Sequence, residues 1–455
     1  MKVLWLCNFM LPAVAQQLQQ KATNKEGWIS GMAQVILKHQ QENQIALGVA
    51  FPVPEQLDGY KEVLPVYGGN LTCYGFYEDT LHPEQYDAGL EEKMRRITED
   101  FQPDVVHCYG TEYPHTLAMC RVYPDKSKLL ISIQGLCSVY ANTYYADLPE
   151  KVIRHVTFRD WLKRDSMVLQ KEKYVKRGEM EIEAVKLAGN VAGRTQWDLF
   201  YTRLWHPEAK YHHLNETLRE CFYEGQWTRE KAVPHTIFLS QGNYPIKGFH
   251  YMLLALGHIR RKYEDVKVFV AGDSIIRYDT WKDKLKISAY GNYLRSLIRR
   301  FGLEDCVTFL GSLTGEQMKE QYLKSDLFVC CSTIENSPNS LGEAMILGVP
   351  CVSADCGGVK SIFTEGEDGI LYPGFRTPDN AFDLPYCGGQ MAHAEELCRL
   401  ERNAKALAEA VLEMWSHEER RDVYCANARI HALKTHNREE NYRRMLEIYG
   451  DIKNT

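Results

Sequence analysis

The stretch Asp326–Val359 constrains this chain more than any other. It reads as an apolar run (Leu327–Cys331), a polar loop, a short helix opening near Ser340, a second apolar run (Cys351–Ser353) and the pair Gly357-Gly358. Short apolar runs bounded by turn residues predict buried strands, so the segment is expected to fold as strand, helix, strand. Gly348 tolerates the left-handed closing conformation and Pro350 cannot continue the helical ladder, so the helix ends between them. The loop after such a strand lies at the carboxyl edge of a doubly wound sheet, where ligands bind. Glu335 falls at that edge, and Glu343 follows after seven intervening residues in the helix's opening turn, so both can face one crevice. Between them Asn339, Ser340 and Leu341 are expected to present free backbone N–H groups at a positive helix end suited to a phosphate.

This order of acid, phosphate seat and acid resembles the E-x7-E segment of family 4 glycosyltransferases. The resemblance implies the GT-B architecture, an α/β fold of two Rossmann-like, doubly wound parallel-sheet domains facing an interdomain cleft. In that family the first glutamate addresses hydroxyls of the donor sugar and the second the ribose of the nucleotide, which implies those roles for Glu335 and Glu343. Lys247, in the turn Gln241–Gly248, is similarly placed to the family's lysine on the donor diphosphate, where a compact ammonium serves as a point charge. The arginine usual shortly before it is absent; Gln241, Gly242 and Asn243 stand there, and Arg194, after the run Asn190–Gly193, is the proposed replacement. Gly27 matches one glycine of the pair beside the diphosphate, with Glu26 in place of the other. Leu313, in the turn Gly311-Ser312-Leu313, would touch the base through backbone groups. For catalysis the resemblance points to His107, three residues after Asp104 at the end of an apolar run. Tyr109 occupies a position that often holds a second histidine, which brings in His115 and Glu112 as substitutes. Gln134-Gly135 stands where many relatives have histidine-glycine; glutamine bonds a hydroxyl but is no base near neutral pH.

A chain of 455 residues and 52.5 kDa exceeds one ordinary core, so two domains are expected. The boundaries read as 1–206 for the first, joined by a crossover helix at 436–455, then a passage at 207–234 rich in charge and aromatics, and 235–435 for the second. A net charge of −6 argues against a general nucleic-acid binder. Fourteen cysteines without CxxC pairs suit reduced thiols in a cytosol rather than disulfides or zinc. Neither an Asp-x-Asp pair nor a GxxxxGK[ST] loop nor an HExxH helix occurs, so no metal site and no cofactor are expected. Lys2–Leu6 reads as a buried first strand rather than the core of a secretory signal. No run of roughly 18 apolar residues predicts a membrane span, and the expected location is cytoplasmic, at the inner face of the membrane. Lys151–Arg177 carries nine Lys or Arg against three Asp or Glu. It is expected to be helical, with Ile153, Val156, Trp161, Val168 and Leu169 beneath it. Such a basic helix could contact an anionic membrane bearing a lipid-linked acceptor, or be a solvated helix over an ordinary buried stripe.

The resemblance therefore implies a retaining, metal-independent glycosyltransferase. It would move a hexose-type sugar from a nucleotide diphosphate, UDP- or GDP-linked, to a hydroxyl of a saccharide or lipid-linked saccharide, in polysaccharide or glycolipid assembly. Lys247 and the helix end near Ser340 would stabilise the leaving diphosphate. Two alternatives stand beside it: a GT-B-shaped sugar-nucleotide epimerase, and a non-catalytic partner protein that has kept the fold.

Overall fold

The computed structural model describes residues 1–20, 27–374 and 393–455. They form two compact units, one of Met1–Val139, Lys173–Arg219 and Thr435–Thr455, the other of Tyr140–Glu172 and Glu220–Lys434. Each is an α/β unit built on one sheet.

The first unit's strands are β1 (Lys2–Cys7), β2 (Ala46–Val53), β3 (Lys61–Val66), β4 (Gly69–Tyr77), β5 (Val105–Tyr109), β6 (Leu129–Ser132), β7 (Asn190–Gly193) and β8 (Lys210–His213). Their order is β3-β4-β2-β1-β5-β6-β7-β8, parallel throughout except for the β3–β4 pair. β1 is central, and its alternation explains why its sequence is continuously apolar. Val3, Trp5 and Cys7 enter the core on one face, Leu4 and Leu6 the core on the other. The helix Arg438–Lys453 covers the first of these cores with Met445, Ile448 and Tyr449. Tyr449 accepts a hydrogen bond from Trp5 Nε1 at 2.9 Å.

The second unit holds β9 (Val233–Leu239), β10 (Lys267–Val270), β11 (Val307–Phe309), β12 (Ser325–Cys330), β13 (Cys351–Ala354) and β14 (Ile370–Tyr372). The order is β11-β10-β9-β12-β13-β14, all parallel. β12 is buried at every position, and the helix Asn339–Leu347 links it to β13. The expected strand, helix and strand of this segment thus stand within a residue or two of the boundaries read from sequence.

Within the passage 207–234, Lys210–His213 is β8, paired with β7 through Asn190↔Lys210 and Gly193↔His213. The stretch after β1 contains a helix, Pro12–Gln17, opened by a proline whose missing N–H costs nothing in a first turn. One expectation is corrected. Lys151–Arg177 is not one helix over a buried stripe but Glu150–Ile153, Phe158–Lys163 and the start of Met167–Leu187. Ile153 is buried, whereas Val156 is 51% exposed and Trp161 68%.

Among the described residues no helix is long and apolar enough to cross a membrane.

Candidate functional site

The strand order of the second unit decides where its loops meet. From β9 the chain builds outward through β10 to β11, then returns to β12 and builds the other way through β13 to β14. The loops leaving β9 and β12 therefore diverge from adjacent strands, the crevice where doubly wound sheets bind ligands. Lys247 lies on the first loop and Glu335 on the second. Their side chains meet, Lys247 Nζ donating to Glu335 Oε1 at 2.6 Å, and the same oxygen accepts from Ser332 Oγ at 2.6 Å.

Backbone contacts pin the two loops. Thr333 N donates to Ile246 O at 2.8 Å and Gly358 N to Glu335 O at 2.9 Å. Two glycines permit this approach. Gly248 has φ +70° and any Cβ there would overlap the carbonyl oxygen of Cys331; Gly357, at φ +52°, faces Glu335 O in the same way. Burial works against the Lys247 ammonium, but Glu335 and the nearby Tyr244 hydroxyl outweigh it and hold its pKa well above the ordinary value. The lysine is a fixed positive charge at this edge.

The helix Asn339–Leu347 begins four residues after Glu335 without a side-chain cap. The Asn339 and Ser340 amides have no acceptor among the described residues, as expected, but Leu341 is corrected: its N–H donates to Pro338 O at 2.9 Å. The first turn closes tightly, so two amides rather than three are open. Glu343 is 6% exposed, with its Oε2 3.4 Å from the Tyr322 hydroxyl, which donates to Ser340 O at 2.9 Å. Leu313 is half-buried, in a turn joined to the exit of β10 by paired bonds between Gly272 and Gly311.

The first unit holds the remaining expected residues. His107 is fully buried in mid-sheet. Its Nδ1 is 2.7 Å from Tyr449 Oη and its Nε2 2.7 Å from Ser132 Oγ, so both ring nitrogens are taken. Burial, with a smaller push from His212, lowers its pKa to about 3 and keeps the ring neutral. His107 is thereby built as a packing and hydrogen-bonding residue. His115 is equally buried, its Nδ1 2.6 Å from Glu78 Oε2 and its Nε2 3.1 Å from Asn8 Oδ1. Asn8 in turn donates to Glu112 Oε2 at 3.0 Å. Asn8 follows β1 and Glu112 follows β5, the adjacent strands from which this sheet builds in opposite directions, so the network occupies this unit's own crevice. Arg194 is 6% exposed and ion-paired with Glu216, its Nη2 3.5 Å from the carbonyl oxygens of Ile133 and Gln134. The charge expected to stand in for the missing arginine is thus neutralised inside this unit. Gly27 opens the helix Gly27–Lys38, and Glu26 lies outside the described residues.

Sequence reasoning missed Ser332, Tyr244 and Tyr322 in the second unit, and Asn8 and Glu78 in the first. Ser332 lay in plain view three residues before Glu335, the spacing of a local side-chain bond. Glu78 carries no comparable local signal, because its partner His115 is 37 positions away. Among the described residues no group of three or more His, Cys, Asp or Glu is arranged to hold a metal ion.

With this geometry in place, comparison with known proteins adds the following. Residues 226–382 match the family model for glycosyl transferases group 1. The match contains Lys247, Leu313, Glu335, Asn339 and Glu343. Over 135 residues, 30% of its length, the chain is 30% identical to an alpha-D-kanosaminyltransferase of Streptomyces kanamyceticus, and it spans only 31% of that protein. Among solved structures, sucrose-phosphate synthase from Thermosynechococcus elongatus is similar over 99% of both chains, with a TM-score of 0.67 at 13% identity. Anabaena HepE, solved in complex with UDP and glucose, matches over 99% of this chain and 100% of its own, with a TM-score of 0.62 at 13% identity. The fold is GT-B, two parallel-sheet α/β domains.

Proposed function

We propose that the protein is a retaining family 4 glycosyltransferase that takes a sugar from a UDP- or GDP-linked donor to an acceptor hydroxyl in polysaccharide or glycolipid assembly. The observation that carries this reading is the Lys247–Glu335 contact at the second unit's crevice, with the open amides of Asn339 and Ser340 at the helix start four residues further along the same loop. A diphosphate entering there would exchange its charge for that of Glu335 on the lysine and accept the two amides. Glu335, released from Lys247, would accept hydroxyls of the sugar, and Glu343 would face the ribose. As the sugar–phosphate bond breaks, negative charge collects on the leaving diphosphate, where Lys247 and the helix end are already oriented. No metal is required by this scheme, and a phosphate oxygen would take the acceptor's proton. The group 1 match over these residues supports the reading, and the UDP and glucose bound by HepE support a uridine donor. Saccharide or lipid-linked saccharide acceptors belong to the same proposal.

The test is incubation with radiolabelled UDP- and GDP-sugars, followed for hydrolysis, transfer and epimerisation. Slow donor hydrolysis abolished by Lys247→Ala or Glu335→Ala is the expected result. Unchanged turnover in both variants removes the assigned pocket, and an epimerised donor without transfer assigns an isomerase instead.

A further inference from the structure

Two short helices of the second unit expose side chains that a folded protein ordinarily buries. In Phe158–Lys163, Phe158 is 53% exposed, Trp161 68% and Leu162 64%. In Trp281–Lys286, Trp281 is 67% exposed and Leu285 42%. Both helices start from capping boxes, Thr157 with Asp160 and Thr280 with Asp283, and they pack against each other. Asp160, itself 2% exposed, accepts the Ala289 N–H at 2.9 Å and so ties the pair to the next helix. The aromatic side chains therefore project from helices whose N-terminal ends are capped.

Along the same two helices stand Lys163, Arg164, Lys282, Lys284 and Lys286, all exposed and none ion-paired among the described residues. A groove of about 540 Å³ is lined by His155, two residues before the cap Thr157, and by Ala289, whose N–H Asp160 holds. Buried Val152, Leu297 and Leu400 line it together with exposed Lys151, His155 and Arg300, and Glu401 is its acidic member. Tryptophan among lysines, with an apolar groove edged by cations, is complementary to one kind of surface: aromatic rings seat at the headgroup level and the basic residues meet phosphate. A site for a soluble polyanion would need the charges but not Phe158, Trp161, Leu162 and Trp281.

We propose that this face of the second unit docks onto an anionic phospholipid bilayer, the groove receiving part of a lipid. The inference does not rest on the donor chemistry proposed above, and its test reads no activity. The full chain is sedimented with phosphatidylcholine vesicles that contain or lack phosphatidylglycerol. Binding to the anionic vesicles is expected to be at least about tenfold stronger, and to fall about tenfold in both Trp161→Ser/Trp281→Ser and Lys282→Glu/Lys286→Glu. Melting temperature is expected to be unchanged in both pairs, since every substituted side chain is exposed. Failure to sediment with anionic vesicles overturns the proposal. So does loss in the charge variant alone with equal capture on heparin, which assigns a polyanion site. Self-association in analytical ultracentrifugation that the tryptophan pair abolishes would assign the face to a second copy and overturn it as well.

Discussion

Lys247 and Glu335 are each other's counter-ion, and each is awkward without the other. Glu335 is 8% exposed, so removing the lysine leaves a nearly buried carboxylate held by the Ser332 hydroxyl. Lys247→Met is expected to destabilise by about 1–3 kcal/mol, less than for a fully buried pair because the lysine keeps some contact with water. Glu335→Gln in the same background should recover part of that loss, and a double-mutant cycle by urea unfolding measures the coupling. A second expectation concerns pH. His107 and His250 have pKa values near 3 and His212 near 4, each lowered first by burial. Their folded values lie below the ordinary 6.5, so the unfolded chain takes up protons that the folded chain refuses. Stability from these rings is complete above about pH 6.5 and declines as pH falls toward 4, by up to about 1.4 kcal/mol per pH unit for each ring. Unfolding curves between pH 7 and pH 5 test this, and His107→Asn should flatten the slope; an unchanged slope would remove His107 from the account.

The elements divide by how local their causes are. The helix Asn339–Leu347 was legible because Gly348 and Pro350 stop it, and β12 because its stretch Leu327–Cys330 is apolar, as burial on both faces favours. β8 was illegible: KYHH lies at the end of its sheet, half in solvent, and has no apolar run to show. The helix Trp281–Lys286 was missed for the related reason that its large apolar side chains face water. At the crevice the decisive local devices are Gly248 and Gly357, whose positive φ and contact with carbonyl oxygens of the opposite loop exclude a side chain. Gly248→Ala is expected to cost about 1–3 kcal/mol and to push the lysine loop away from Cys331. The urea midpoint reports the first effect, and donor affinity by calorimetry the second. A donor affinity equal to wild type would show that the loop contact does not set the site.

Over whole units, the segments farthest apart in sequence hold the most consequential contacts. Tyr449, six residues from the chain's end, accepts from Trp5 in β1 and stands 2.7 Å from His107 in β5. Truncation after Thr435 would uncover that core and leave Trp5 and His107 without their partner, so this variant is expected to lose the first unit's cooperative unfolding step in calorimetry. Tyr449→Phe, which keeps the ring, should cost only about 1–3 kcal/mol. The excursion Tyr140–Glu172 belongs with the second unit by contacts of the same long range. Ala146 O lies 2.8 Å from His250 Nε2, and Asp147 accepts from Tyr251 Oη at 2.8 Å and is ion-paired with Arg399. What the sequence determined by itself is whatever depends on neighbours along the chain: the apolar parallel strands, the helix stops, and the eight-residue step from Glu335 to Glu343. What only the tertiary structure decided is pairing across the chain, because a buried charge or ring nitrogen must find its partner in space. That is why Lys247 met Glu335, Arg194 met Glu216 and His107 was closed between Tyr449 and Ser132.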